Sequence, residues 1–155
     1  VGPDRISLAN EAFAGLAGWR AVAGGATRAA SVKEGLNALS GPPGQPVLVH
    51  DAARPFVTAD HIARLLAALV DSDGAVPVLA VPDTLKRGEG MVSETVSRVG
   101  LWRAQTPQAF RLQALRDGYA GWPADEGPTD DASVMGRAGA RGGGWGHGRP
   151  RRGSA

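Results

Sequence analysis

The chain has 155 residues, 43% of them hydrophobic and only 5% aromatic, so it can build one domain around an aliphatic core. It has no cysteine, which excludes a disulfide framework and a thiolate metal site, and His50, His61 and His147 lie too far apart for ligand spacing. The formal charge is +2, no apolar run is long enough to span a bilayer and no signal peptide opens the chain, so a cytoplasmic protein without a membrane partner is expected.

Val1-Gly2-Pro3-Asp4 reads as a loop. Ile6, Ala9, Phe13 and Leu16 recur at helical spacing and predict an amphipathic helix over 5–17. An α/β domain normally opens on a strand, so this start reads as the middle of something larger. Trp19 to Ala23 is a strand candidate that Gly24-Gly25 ends. Ser31-Val32-Lys33-Glu34 has the spacing of a capping box, with Val32, Leu36 and Leu39 on one face of the helix that follows. Gly41-Pro42-Pro43-Gly44 is a loop.

Val47-Leu48-Val49 is a β-branched apolar run that ends abruptly in His50-Asp51-Ala52-Ala53-Arg54-Pro55. In a parallel sheet such a run is a buried central strand whose carboxyl end faces the ligand crevice. Asp51 is then placed where an open α/β sheet does its chemistry, with Arg54 three residues on. A carboxylate and a guanidinium this close suit metal, phosphate and sugar hydroxyls. By itself, Asp-x-x-Arg fits a plain strand-end ion pair better.

Thr58 is an N-cap candidate for a helix over 59–70, with Ile62, Leu65, Leu66 and Leu69 as its apolar stripe and His61 on its surface. Ala75 to Val81 predicts the next strand. Thr84 to Leu101 reads as a protruding β-hairpin turning at Gly88-Glu89-Gly90. Thr106-Pro107-Gln108 forms a loop before a helix from about Arg111 to Tyr119. Asp125, Glu126, Asp130 and Asp131 resemble a metal-ligand cluster in composition. The favoured reading is a solvated loop feeding a short helix capped by Thr129 or Asp130.

From Gly136 the chain changes character: eight of the last twenty residues are glycine and five are arginine. Those arginines belong to a tail without acids, so residues 1–135 carry a formal −3. The tail over 136–155 is expected to be disordered. Arg/Gly tails bind nucleic acid through charge, but a solvated tail without that role is the favoured reading.

Five stretches, in order, carry a family resemblance over residues 1 to about 139: Gly24 to Val32, His50 to Pro55, Asp83 to Arg87, Gly100 to Gln108, and Thr129 to Ser133. Together they resemble the 2-C-methyl-D-erythritol 4-phosphate cytidylyltransferase family. The resemblance implies a Rossmann-like α/β nucleotidyltransferase domain over 1–135 with a hairpin arm, truncated at both ends. It implies transfer of a cytidylyl group from CTP to the polyol phosphate, with release of pyrophosphate, in non-mevalonate isoprenoid precursor synthesis.

The resemblance also assigns residues. Gly24, Gly25, Arg28, Ser31, Asp51 and Ala52 would bind the nucleotide; Arg54, Thr84, Arg98 and Thr106 would bind the polyol phosphate; Asp51 and Arg98 would be catalytic. Magnesium is implied for the triphosphate, with no residue assigned to it. A homodimer is implied, with the 84–101 arm exchanged so that Arg98 enters the partner's site. Ala26 stands where family members carry an acidic residue. The family's N-terminal glycine-rich loop, with its arginine and lysine, and its C-terminal lysine motif have no counterpart here. The chain alone is therefore expected to be poorly active or poorly folded, and the tail to be a reading-frame or truncation product. The rivals are another polyol-phosphate or sugar cytidylyltransferase, a nucleic-acid-binding protein acting through the tail, and a non-catalytic relic.

Overall fold

Two apolar clusters on opposite faces of one sheet organise the protein. The structure is a computed structural model that describes residues 1–123 and 126–139, and the backbone of 142–146. Asp125, Arg141, His147, Arg149, Arg151 and Arg152 lie outside the described residues.

The chain opens with a 3₁₀ turn, Pro3–Arg5, and a short helix α1, Ile6–Ala12. The helix expected over 5–17 stops early, because the chain turns at Phe13 and reverses through Gly15 and Gly18, both at positive φ. Trp19 to Ala23 forms no strand. Among the described residues its backbone bonds only to Val1, through Val1 N to Val22 O at 3.1 Å, with the adjoining Gly24 N donating to Val1 O at 2.7 Å, too little for a ladder.

Helix α2 runs over Arg28–Ala38 and is capped by Thr27, whose side chain accepts from Ala30 N. The expected cap, Ser31, lies inside the first turn instead. Strand β1, Pro46–Val49, follows, then helix α3, Ala59–Ala68, with Thr58 accepting from His61 N as expected of its cap. His61 is half-buried rather than on the surface. Strand β2, Gly74–Ala80, leads into the hairpin β3, Leu85–Glu89, and β4, Met91–Val96, which form a two-stranded sheet of their own. Strands β5, Trp102–Ala104, and β6, Gln108–Arg111, precede helix α4, Leu112–Ala120, and helix α5, Asp131–Arg137.

The main sheet has the order β1-β6-β2-β5. Contrary to expectation, β1 is not a central parallel strand: among the described residues it pairs antiparallel with β6 alone. Part of the tail expected to be disordered carries regular structure, while residues 140–141 and 147–155 lie outside the described residues. α5 extends to Arg137, and Gly142–Gly146 forms β7, parallel to β2.

Register distributes the core. Val47 faces Phe110 and Leu48 faces Ala109 across the β1–β6 ladder. Alternation sends the first pair to one face, where Leu36, Leu112, Leu115, Tyr119, Val134 and Met135 pack from α2, α4 and α5. The second pair goes to the other face, against Leu65 and Leu69. The result is a three-layer α/β sandwich. Each fully buried leucine or phenylalanine contributes on the order of 1.5–3 kcal/mol.

Candidate functional site

The β1–β6 register builds the site. Val49 pairs with Gln108, so continuing the ladder brings residue 51 opposite residue 106. The Asp51 amide donates to Thr106 Oγ1 at 3.2 Å. His50 joins the same hydroxyl: its Nδ1 lies 3.1 Å from Thr106 Oγ1 and its Nε2 lies 2.8 Å from the Arg54 carbonyl. A carbonyl only accepts, so Nε2 is the protonated nitrogen, and in the neutral ring Nδ1 accepts from the Thr106 hydroxyl. Beyond Asp51 the chain turns, with Arg54 N donating to Asp51 O at 3.0 Å.

That turn carries an ion pair. Arg54 Nε meets Asp51 Oδ2 at 3.3 Å, and its Nη1 donates to Gln105 Oε1 at 2.6 Å. Both charged side chains are half-exposed, so the pair contributes at most about 1 kcal/mol to stability. Its role is geometric: it holds the guanidinium across the mouth of a cleft.

The cleft is open, about 390 Å³, and lined mainly by Arg28, Asp51, Arg54, Thr106, Gln108 and Asp130. Arg28 enters from the start of α2. Asp130 enters from the N-cap of α5, where its Oδ1 accepts Ser133 N at 2.8 Å. Gln108 is buried and ties β6 to α5: its Nε2 donates to Asp130 Oδ2 at 3.2 Å and its Oε1 accepts Ala132 N at 3.1 Å.

Behind the cleft, Arg28 pairs with Asp131, which also accepts the Tyr119 hydroxyl. Burial alone would lower the Arg28 pKa. The hydrogen bond and charge of Asp131, followed by the charges of Tyr119 and Asp51, carry it above its ordinary value. Burial first, then the hydrogen bond and charge of Asp131, push the Tyr119 phenol well up, with Arg28 only partly opposing.

Four of the residues expected from sequence, Arg28, Asp51, Arg54 and Thr106, therefore meet on one cleft. Gly24, Gly25 and Ser31 form the loop and first turn that present Arg28, with Ser31 Oγ donating to Thr27 O at 2.9 Å and Gly25 O at 3.3 Å. Ala52 is exposed on the turn beside Asp51. Thr84 and Arg98 stand apart from the cleft within this chain: both are exposed at the root of the hairpin, where Arg98 donates to the Pro82 carbonyl. Gln105, Gln108, Tyr119 and Asp131 drew no site role from the sequence. The expected solvated acidic loop is corrected at Asp131, which is buried by its two partners. Among the described residues, no three His, Cys, Asp or Glu side chains converge as a metal cage, and no helix is long and apolar enough to cross a membrane.

Residues 4–143 match the family described as 2-C-methyl-D-erythritol 4-phosphate cytidylyltransferase. A bifunctional enzyme IspD/IspF of Caulobacter vibrioides is 59% identical over 129 residues, covering 82% of this chain and 34% of that protein. The 4-diphosphocytidyl-2C-methyl-D-erythritol synthase of Anaerococcus prevotii superposes with a TM-score of 0.79 at 25% identity, over 94% of this chain and 68% of that one. The 2-C-methyl-D-erythritol 4-phosphate cytidylyltransferase of Thermus thermophilus does so at 0.70 and 39% identity, over 86% and 68%. The chain spans about a third of the length of the curated relatives it matches. The five ordered motifs, four of which meet on the cleft, and these likenesses place the chain in the 2-C-methyl-D-erythritol 4-phosphate cytidylyltransferase family.

Proposed function

We propose that the cleft serves transfer of a cytidylyl group from CTP to 2-C-methyl-D-erythritol 4-phosphate. An oxygen of the acceptor's phosphate forms the new bond to the α-phosphorus of CTP. The bond from that phosphorus to the bridging oxygen breaks, and pyrophosphate leaves. The nucleophile belongs to the substrate, so the protein supplies position and charge rather than a covalent step. One observation carries the reading: the β1–β6 register sets Asp51 against Thr106, on the same cleft as Arg28.

The residues divide the work. Gly24, Gly25 and Ser31 shape the α2 start from which Arg28 donates hydrogen bonds to the nucleoside, and Ala52, on the turn after Asp51, contributes to the same nucleotide side. Arg54 and Thr106 hold the acceptor's phosphate, Thr106 by turning its one hydroxyl proton from His50 Nδ1 to a phosphate oxygen when the substrate binds. Asp51 fits a magnesium ion carried by the triphosphate: it is a hard oxygen donor, 45% exposed, and magnesium takes one or two carboxylates plus substrate phosphates. When bound, the ion would neutralise triphosphate charge. Both cleft arginines are already paired with carboxylates, so they orient a substrate more than they neutralise it.

The partner is a second copy of the chain. The hairpin leaves Met91 84% exposed, and Val99 just beyond it 90% exposed, on a two-stranded ribbon that is marginal alone. Exchange of the 84–101 arm would bury them and carry Thr84 and Arg98 to the other copy's acceptor side. Substrates of this kind and the absence of cysteine fit a cytoplasmic location. The cytidylyltransferase domain, expected over 1–135, is taken to continue through α5 to Arg137 and into β7.

Calorimetry with CTP and magnesium, together with a pyrophosphate-release assay on the 155-residue chain, tests the proposal. Expected are CTP binding in preference to ATP and acceptor-dependent release well below a typical turnover of about 1–10³ s⁻¹. Failure to bind CTP, or release that ignores the acceptor, would overturn it.

A further inference from the structure

Three helices converge on a carboxylate that the proposed chemistry does not use. Asp131 opens α5, and its side chain is 0% exposed. The helix start does not require it, because Asp130 is already the N-cap. Asp131 lies three and four residues before Val134 and Met135, on the inward face of α5. Its Oδ1 accepts the Tyr119 hydroxyl from α4, and its Oδ2 accepts Arg28 from α2. A buried carboxylate is costly unless paired and hydrogen-bonded, and here both oxygens are held.

Arg28 is the member that reaches the cleft, with 41% of its side chain exposed and Asp51 close enough for its charge to be felt. A guanidinium is a rigid planar fork with five donors and no acceptor. Holding one Nη on Asp131 therefore narrows the directions in which the others can point. Tyr119 occupies the second carboxylate oxygen and so fixes which oxygen faces Arg28.

We propose that Asp131, braced by Tyr119, is a positioning residue that sets the direction in which Arg28 offers its remaining N–H donors to the nucleoside part of a bound nucleotide. The inference rests on the nucleotide reading of this cleft. An arginine already held before binding loses less freedom when the ligand arrives. With Asp131 offsetting its charge, it is suited to directed hydrogen bonds with base or ribose oxygens rather than to countering the triphosphate. The sequence stretches that begin at Gly24 and Thr129 thereby act as one unit.

The experiment pairs ¹⁵N–¹H spectroscopy of the Arg28 guanidinium in the unliganded chain with CTP calorimetry. The proteins are wild type, Asp131→Asn, Tyr119→Phe, Arg28→Ala and the double variant Tyr119→Phe with Arg28→Ala. Expected are slow guanidinium rotation in the wild type, loss of that signature in Asp131→Asn, and faster rotation in Tyr119→Phe. The Kd for CTP rises roughly tenfold in both Arg28→Ala and Asp131→Asn. Tyr119→Phe weakens binding only while Arg28 is present. Should Asp131→Asn fail to fold, Tyr119→Phe, which removes one oxygen, carries both readouts. A freely rotating Arg28 in the wild type, or a Tyr119→Phe loss that is the same with and without Arg28, overturns the proposal. A held Arg28 in a chain that does not bind CTP supports the positioning and refutes the nucleotide reading instead.

Discussion

Gly25→Ala places a methyl group where the loop before α2 has no room. A Cβ at Gly25 would lie 2.4 Å from Ala30 Cβ, and 3.2 and 3.3 Å from Ala30 backbone carbons. Ordinary contact begins near 3.4 Å, so the overlap is about an ångström. Ala30 is in the first turn of α2, so the obstacle cannot swing aside and the loop must retreat. Overpacking of this kind costs about 1–3 kcal/mol. The retreat also strains the Ser31 bond to Gly25 O and moves Thr27, the cap from which Arg28 projects. For a chain of this size the melting temperature should fall by roughly 2–10 °C. The Kd for CTP should rise by about tenfold, the loss of one charged hydrogen bond. Scanning calorimetry and titration calorimetry read the two effects separately. Gly35→Ala is the control: nothing lies within 4 Å of its Cβ on the same helix, so the exchange should stabilise by about 0.5–1 kcal/mol. A Gly25→Ala protein that melts at or above wild type refutes the packing argument. One that melts lower yet binds CTP normally refutes the role given to the loop.

Three further outcomes are expected. Asp51→Asn keeps the turn and its shape but removes the carboxylate charge; magnesium-dependent CTP binding should weaken while the melting temperature moves by no more than that of an exposed ion pair, and an unchanged magnesium dependence would exclude Asp51 as the ion's ligand. Tyr119, faced by Asp131, Arg28 and the Lys33 ammonium over its ring, has a folded pKa above its ordinary 10.0. Its protonated form therefore stabilises fully below pH 10 and this contribution erodes as pH rises further, so thermal melts above pH 10 should decline more steeply in wild type than in Tyr119→Phe. Thr27→Ala should cost about 1 kcal/mol as a lost N-cap. Ser31→Ala, which leaves that cap intact, should cost less in chemical denaturation, and the reverse order would restore Ser31 as the cap.

Periodicity made much of this fold legible. The stripe Ile62, Leu65, Leu66, Leu69 gave α3 and its Thr58 cap, and the glycine turn at Gly88 to Gly90 gave the hairpin. What periodicity does not encode is pairing. Val47-Leu48-Val49 looks the same in a parallel and an antiparallel neighbourhood, and its partner β6 has four residues, one of them a buried glutamine. The capping box at Ser31 was a genuine pattern that lost to Thr27, because Arg28-Ala29-Ala30 are good helix formers and extend α2 by a turn. Consecutive carboxylates at Asp130 and Asp131 read as solvated. The overlooked signal was spacing, since Asp131 shares the i, i+3, i+4 face of Val134 and Met135. The cleft residues were legible through the family's motifs. Gln105 and Gln108 lie inside the Gly100 to Gln108 motif and Tyr119 outside the motifs, but none drew a site role from sequence, because the part each plays is to hold another side chain.

The Thr106 hydroxyl has one proton and two lone pairs, and it already serves two neighbours, the Asp51 amide and the His50 ring. Valine, which has nearly the same shape, would strip both neighbours of a partner in one exchange. Serine would keep both. This single oxygen couples the end of β1 to the loop before β6, so the two walls of the cleft cannot drift apart without one of its bonds opening.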